Sequence, residues 1–124
     1  MVHTDKEKYS DILSSSLAYL EKIGFENIQA DAEGYDTPKS YHKKGSDIEV
    51  TPDIVAEKEG RKHYFELSLK SDETRLLQSK WLFINTLSNM TASRFKIITT
   101  RGHYKFTNEM LEAINLSDKK LIKI

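Results

Sequence analysis

The sequence predicts an α/β protein: a mixed central sheet flanked by helices, built as one domain over residues 1–124. Three observations carry this expectation. Apolar residues recur with a helical period in two long segments, and they alternate with a strand period in segments between. A hairpin signal is followed at once by a strand–helix–strand unit, whose crossover makes its two strands parallel. A chain of 124 residues is long enough for one core and too short for two.

The elements follow in order. Residues 4–24 form the first predicted helix, because Tyr9, Ile12, Leu13, Leu17 and Leu20 recur at spacings of three and four. Thr4-Asp5-Lys6-Glu7 fits a capping box at its start, and Gly24 fits a left-handed stop at its end. Residues 25–31 read as a strand. Residues 32–44 are polar, contain Gly34 and Pro38, and hold neither period, which reads as loop or weak strand. Residues 48–57 and 61–70 alternate on either side of Glu59-Gly60 and form a predicted hairpin. A second helix over 72–89, a strand over 95–100, a short helix over 108–114 and a last strand over 121–124 complete an α-β-β-β-α-β core with an α-β C-terminal extension.

Composition narrows the function. The chain is 38% hydrophobic and 31% charged, an ordinary balance for a folded domain. It has no apolar run of membrane-span length and no signal-peptide pattern at its N-terminus, so a cytoplasmic location with no membrane partner is expected. Without cysteine there is no thiolate nucleophile or thiolate metal site, and any metal must rest on oxygen or imidazole ligands. Lys plus Arg and Asp plus Glu both number 19, which argues against a sequence-independent nucleic-acid coat with a broad basic excess.

The most informative segment is the hairpin. A two-residue turn at Glu59-Gly60 sets Val55 opposite Tyr64, Ile54 opposite Phe65 and Asp53 opposite Glu66. Directly paired strand residues have Cβ atoms roughly 4.5–5.5 Å apart, a spacing at which like charges destabilise a sheet. A hard divalent cation shared by both carboxylates compensates for that cost. On the second strand His63, Phe65, Leu67 and Leu69 form a core face, while Tyr64, Glu66, Ser68 and Lys70 form a polar one.

At these residues the sequence resembles the PD-(D/E)XK nuclease superfamily, the restriction-endonuclease-like fold that includes Holliday junction resolvase-type cores. The matching residues are Pro52-Asp53, twelve intervening residues and Glu66 within Tyr64-Phe65-Glu66-Leu67-Ser68; the core order over residues 4–100 matches as well. The resemblance implies hydrolysis of phosphodiester bonds in DNA or RNA, with Asp53 and Glu66 as ligands of Mg²⁺ (or Mn²⁺). It also implies a lysine two positions after the glutamate, where this chain has Ser68. Two lysines are candidates for the displaced role. Lys70 lies on the Glu66 face but about 13 Å along the strand. Lys80 falls inside the apolar arc of the second helix, and the returning helix brings it back level with Glu66.

Lys43, Lys44 and Arg101 are the expected phosphate contacts, Arg101 because it follows a parallel strand, and Tyr41 and Tyr64 are candidate stacking residues. His63 belongs to the core-facing set. The expected function is a metal-dependent endonuclease-like phosphodiesterase with nucleic acid, DNA first, as its partner; a homodimer would serve an enzyme cutting both strands. The alternative, supported by Ser68, is a catalytically inactive nuclease-fold module that binds nucleic acid or a protein.

Overall fold

The computed structural model describes residues 6–124, so the capping box that opens at Thr4 begins outside them. The first helix, α1, spans Lys6–Lys22 and turns into β1 (Glu26–Ala30) through Gly24, whose φ of 96° supplies the left-handed stop. The hairpin expected over 48–57 and 61–70 forms with a break. Glu49–Val50 (β3) pairs antiparallel with Tyr41–His42 (β2) in a separate two-stranded ribbon, inside a stretch the sequence reads as loop or weak strand. Pro52, which has no backbone N–H to donate, interrupts the ladder before β4 (Ile54–Lys58) begins.

From Ile54 onward the register agrees with the turn arithmetic: Ile54 faces Phe65, Val55 faces Tyr64 and Lys58 faces Arg61 of β5 (Arg61–Ser68). Glu59 and Gly60 both have positive φ, 52° and 77°, as a type I′ turn requires. The helix α2 (Thr74–Met90) then returns the chain to β6 (Arg94–Thr99), which pairs parallel with β5. Next come α3 (Tyr104–Ala113), which starts four residues earlier than its sequence pattern suggests, and β7 (Leu121–Lys123), parallel to β6. The result is a five-stranded mixed sheet in the order β1-β4-β5-β6-β7 flanked by helices.

Each face of this sheet carries a core. Ile12, Leu13, Leu17 and Leu20 of α1 bury Ile54, Ala56, Phe65, Leu67 and Ile98 on one side. On the other, Leu77, Trp81 and Ile84 of α2 with Met110 and Leu111 of α3 cover Val55, Tyr64, Phe95 and Ile97. The polar face expected on the second hairpin strand is therefore a buried surface: Tyr64 and Glu66 are each 1% exposed and Ser68 0%. Tyr64 is thereby removed as a stacking residue. The buried stripe of α2 is also narrower than its apolar arc, since Leu76 and Met90 at the arc's flank are 47% and 79% exposed. Among the described residues no helix is long and apolar enough to cross a membrane.

Candidate functional site

The site forms where the β4–β5 ladder stops. Asp53 is one residue short of the first rung, so the backbone pairing with Glu66 that simple register predicts is replaced by two side-chain bonds. The Asp53 N–H donates to Glu66 Oε2 at 2.8 Å, and the Leu67 N–H donates to Asp53 Oδ2 at 2.9 Å. Each carboxylate thus satisfies a backbone donor that would otherwise be left buried without a partner. This exchange pins both acids at one end of the sheet.

Lys80 completes the cluster. Its ammonium lies 3.1 Å from Asp53 Oδ1 and 3.1 Å from Glu66 Oε1, so both acids lie within reach of a single cation. The lysine sits one turn before Ile84 and one residue before Trp81, and these apolar neighbours press α2 against the sheet and aim the stem at the acids. A further donor comes from the opposite layer: the Tyr9 hydroxyl of α1 donates to Asp53 Oδ1 at 3.1 Å. Sequence reasoning assigned Tyr9 to the apolar face of its helix, and no spacing signal links it to Asp53.

The electrostatics follow from burial. The Glu66 side chain is 1% exposed, against 13% for Asp53 and 23% for Lys80. Burial, followed by the Asp53 charge, pushes the Glu66 carboxyl up to about 8, despite the opposing pull of Lys80 and of the Asp53 N–H. Burial acts to lower the Lys80 ammonium, but the Glu66 and Asp53 carboxylates outweigh it and hold the group above its ordinary value. These tendencies oppose each other, because an ionised Glu66 favours the ammonium while the dry site favours a protonated Glu66. Burial, then the Asp53 carboxylate, also raises the Tyr9 phenol, which therefore stays a donor.

The donor set suits a hard cation. Glu66 Oε1 is buried and accepts no hydrogen bond, its contact with Lys80 being an ion pair only. Among the described residues no group of three or more His, Asp or Glu side chains converges on one point. Two carboxylates are nevertheless a normal protein contribution for Mg²⁺, which keeps water and phosphate oxygens for its other positions.

The remaining expected residues lie apart. Lys70 is exposed beyond the end of β5, where its backbone N–H donates to His103 Nδ1 at 2.8 Å, and its side chain makes no ion pair with the acids. Lys43 and Lys44 are exposed at the turn of the β2–β3 ribbon. Arg101 is exposed in the turn between β6 and α3. Ser68, at the position where the resemblance implies lysine, faces α3: its Oγ is 2.7 Å from Thr107 Oγ1, and its carbonyl accepts from Thr99 Oγ1 at 2.8 Å. All three of these residues are 0% exposed, so a lysine ammonium at position 68 would be buried among hydroxyls.

Fold and site together define a mixed α/β domain with a buried carboxylate pair bridged by a lysine from the crossover helix. No family model matches the chain, and no curated protein matches it. Among solved structures it is similar to the crystal structure of an fdxN element excision controlling factor protein from Anabaena variabilis. The two share 20% sequence identity with a TM-score of 0.55, over 91% of this chain and 89% of that one. That likeness shows a shared fold.

Proposed function

We propose that this protein is a metal-dependent nuclease of the restriction-endonuclease-like type, hydrolysing phosphodiester bonds in nucleic acid at the Asp53–Glu66–Lys80 cluster. The observation that carries the proposal is the bridging ammonium of Lys80, 3.1 Å from an oxygen of each acid. A lysine from another element would then supply the charge that the resemblance implies at position 68. The structural neighbour's name, an fdxN element excision controlling factor, is consistent with work on nucleic acid.

Asp53 and Glu66 would hold Mg²⁺ or Mn²⁺, which supplies a low-pKa water and neutralises charge on the phosphate. The chain's own residues do the rest. Tyr9 and the Leu67 N–H orient Asp53; the Asp53 N–H orients Glu66; Lys80 remains charged and adds positive potential where negative charge develops on the phosphate oxygens. The low exposure of Glu66 keeps the cluster poorly solvated, which strengthens each of these interactions.

The test is cleavage of single-stranded, duplex and branched DNA and RNA with Mg²⁺ or Mn²⁺. Asp53→Asn is the informative variant, because it retains an oxygen to accept from Leu67 while removing the charge. It should lower the rate by at least about a hundredfold, the scale of losing one preorganised charge-stabilising group. If no substrate shows cleavage that this variant removes, the second reading takes over: a non-catalytic nucleic-acid or protein-binding module, favoured by the placement of Ser68 in the hydroxyl cluster.

A further inference from the structure

At the same end of the sheet as the acid pair, a second group of polar and charged side chains lines a cavity. A cavity of about 360 Å³ opens between α1, the end of β5 and the turn after β6, and its lining includes Lys8, Asp11, Ser15, Leu69, Arg101 and His103. The cavity meets the acid-bearing strand at Leu69, three residues beyond Glu66, on the face of the sheet that α1 covers. The two are also linked along α1, where Lys8 in the cavity precedes Tyr9, the donor to Asp53.

The local chain explains the arrangement. Gly102, with φ of 92°, reverses the backbone after β6 and leaves Arg101 exposed at the turn; among the described residues Arg101 makes no ion pair. His103 Nδ1 accepts the Lys70 N–H at 2.8 Å, which places the ring proton of the neutral imidazole on Nε2 and makes that nitrogen a donor. Burial, then the Lys8 and Lys70 charges, hold the imidazole below its ordinary pKa, so the ring sits in a positive field while itself neutral. Asp11, one helical turn from Lys8, is the one acid that lines the cavity.

We propose that this cavity binds a phosphate group, with Arg101 and Lys8 supplying charge and the His103 imidazole and Ser15 hydroxyl supplying donors. This deepens the nuclease reading by giving the nucleic-acid strand a second phosphate contact beside the acid cluster, and it rests on that reading only for the source of the phosphate.

The experiment follows the histidine ring signals of the metal-free protein by NMR, in EDTA, as inorganic phosphate replaces chloride at constant ionic strength. The expected result is a saturable shift of His103 with its titration moved to higher pH, because an anion favours the imidazolium, while His42 and His63 stay in place. Arg101→Ala should weaken phosphate binding about tenfold, the scale of one charge-assisted contact, and Asp11→Asn should tighten it. No saturable shift, or an equal shift in Arg101→Ala, overturns the site. A short single-stranded oligonucleotide without terminal phosphate provides the second arm. Displacement of phosphate from His103 by the oligonucleotide assigns the site to the nucleic-acid backbone; failure to displace it overturns that source and leaves free phosphate as the ligand. Because these readings need neither metal nor cleavage, a failed cleavage assay and a failed phosphate site are separate results.

Discussion

Lys80 bridges both acids in the folded protein, and in the proposed nuclease the same ammonium would meet the charge of a phosphate. Lys80→Met keeps most of the stem's packing and removes the ammonium. It should cost about 1–3 kcal/mol of stability, less than an uncompensated buried charge because Glu66 can hold a proton, and it should lower cleavage about a hundredfold or more. Lys70→Met, an exposed side chain outside the cluster, should leave both quantities nearly unchanged. Urea unfolding and single-turnover rates on the two variants check this, and a larger loss of rate in Lys70→Met than in Lys80→Met would move the role to Lys70. At this scale the nearness of Asp53 to Glu66 and the inward aim of Lys80 were legible from register arithmetic and helical projection, although side-chain bonds take the place of the expected backbone pair. Tyr9 was not, because its contact crosses from α1 to the start of β4, and no local pattern encodes a contact between residues 44 apart.

Turn chemistry decides how firmly the elements hold their register. Glu59 adopts φ of 52° at the first central position of the hairpin turn, a left-handed conformation that an L side chain other than Asn or Asp adopts at a cost. Glu59→Asn should therefore raise stability by about 0.5–1 kcal/mol, seen as a higher urea midpoint with unchanged slope. Glycine at position 60 made this turn readable from sequence. The β2–β3 ribbon was not readable, because two-residue strands are too short to show a period, and Pro52 hid the break by sitting inside an alternating run. The start of α3 was missed for a related reason: His103-Tyr104-Lys105-Phe106 carries no capping residue, and the helix begins with no side-chain cap.

For the whole molecule, the buried acid makes folding depend on pH. Glu66 has its folded pKa raised to about 8 from an ordinary carboxylate value of 4.5, so between those values the folded protein binds more protons than the unfolded chain. Stability from this group is full below the unfolded value and is lost as pH rises toward 8. The metal-free protein should accordingly show a falling urea midpoint from about pH 5 to pH 8, and Glu66→Gln, which cannot titrate, should flatten that slope. The two-sided burial behind this effect was the least legible feature. Tyr64, Glu66 and Ser68 read as a polar face, and only the packing of α2 and α3 over them turns that face into an interior.

The same two-sided burial gives β5 a separate property. It is the middle strand of five, covered on both faces, and over residues 63–65 it is paired on both edges, so the amide hydrogens of that stretch can reach solvent only when most of the sheet comes apart. Glu66 and Leu67 follow that stretch directly, and beyond the end of the β4 ladder the Leu67 amide is held by the Asp53 side chain. Deuterium uptake should follow this boundary, with residues 63–65 labelled only on the timescale of global unfolding and the Leu67 amide labelled sooner in Asp53→Ala than in the unmutated protein. Asp53 thus extends by one residue, with a side chain, the pairing that a backbone strand would otherwise give β5.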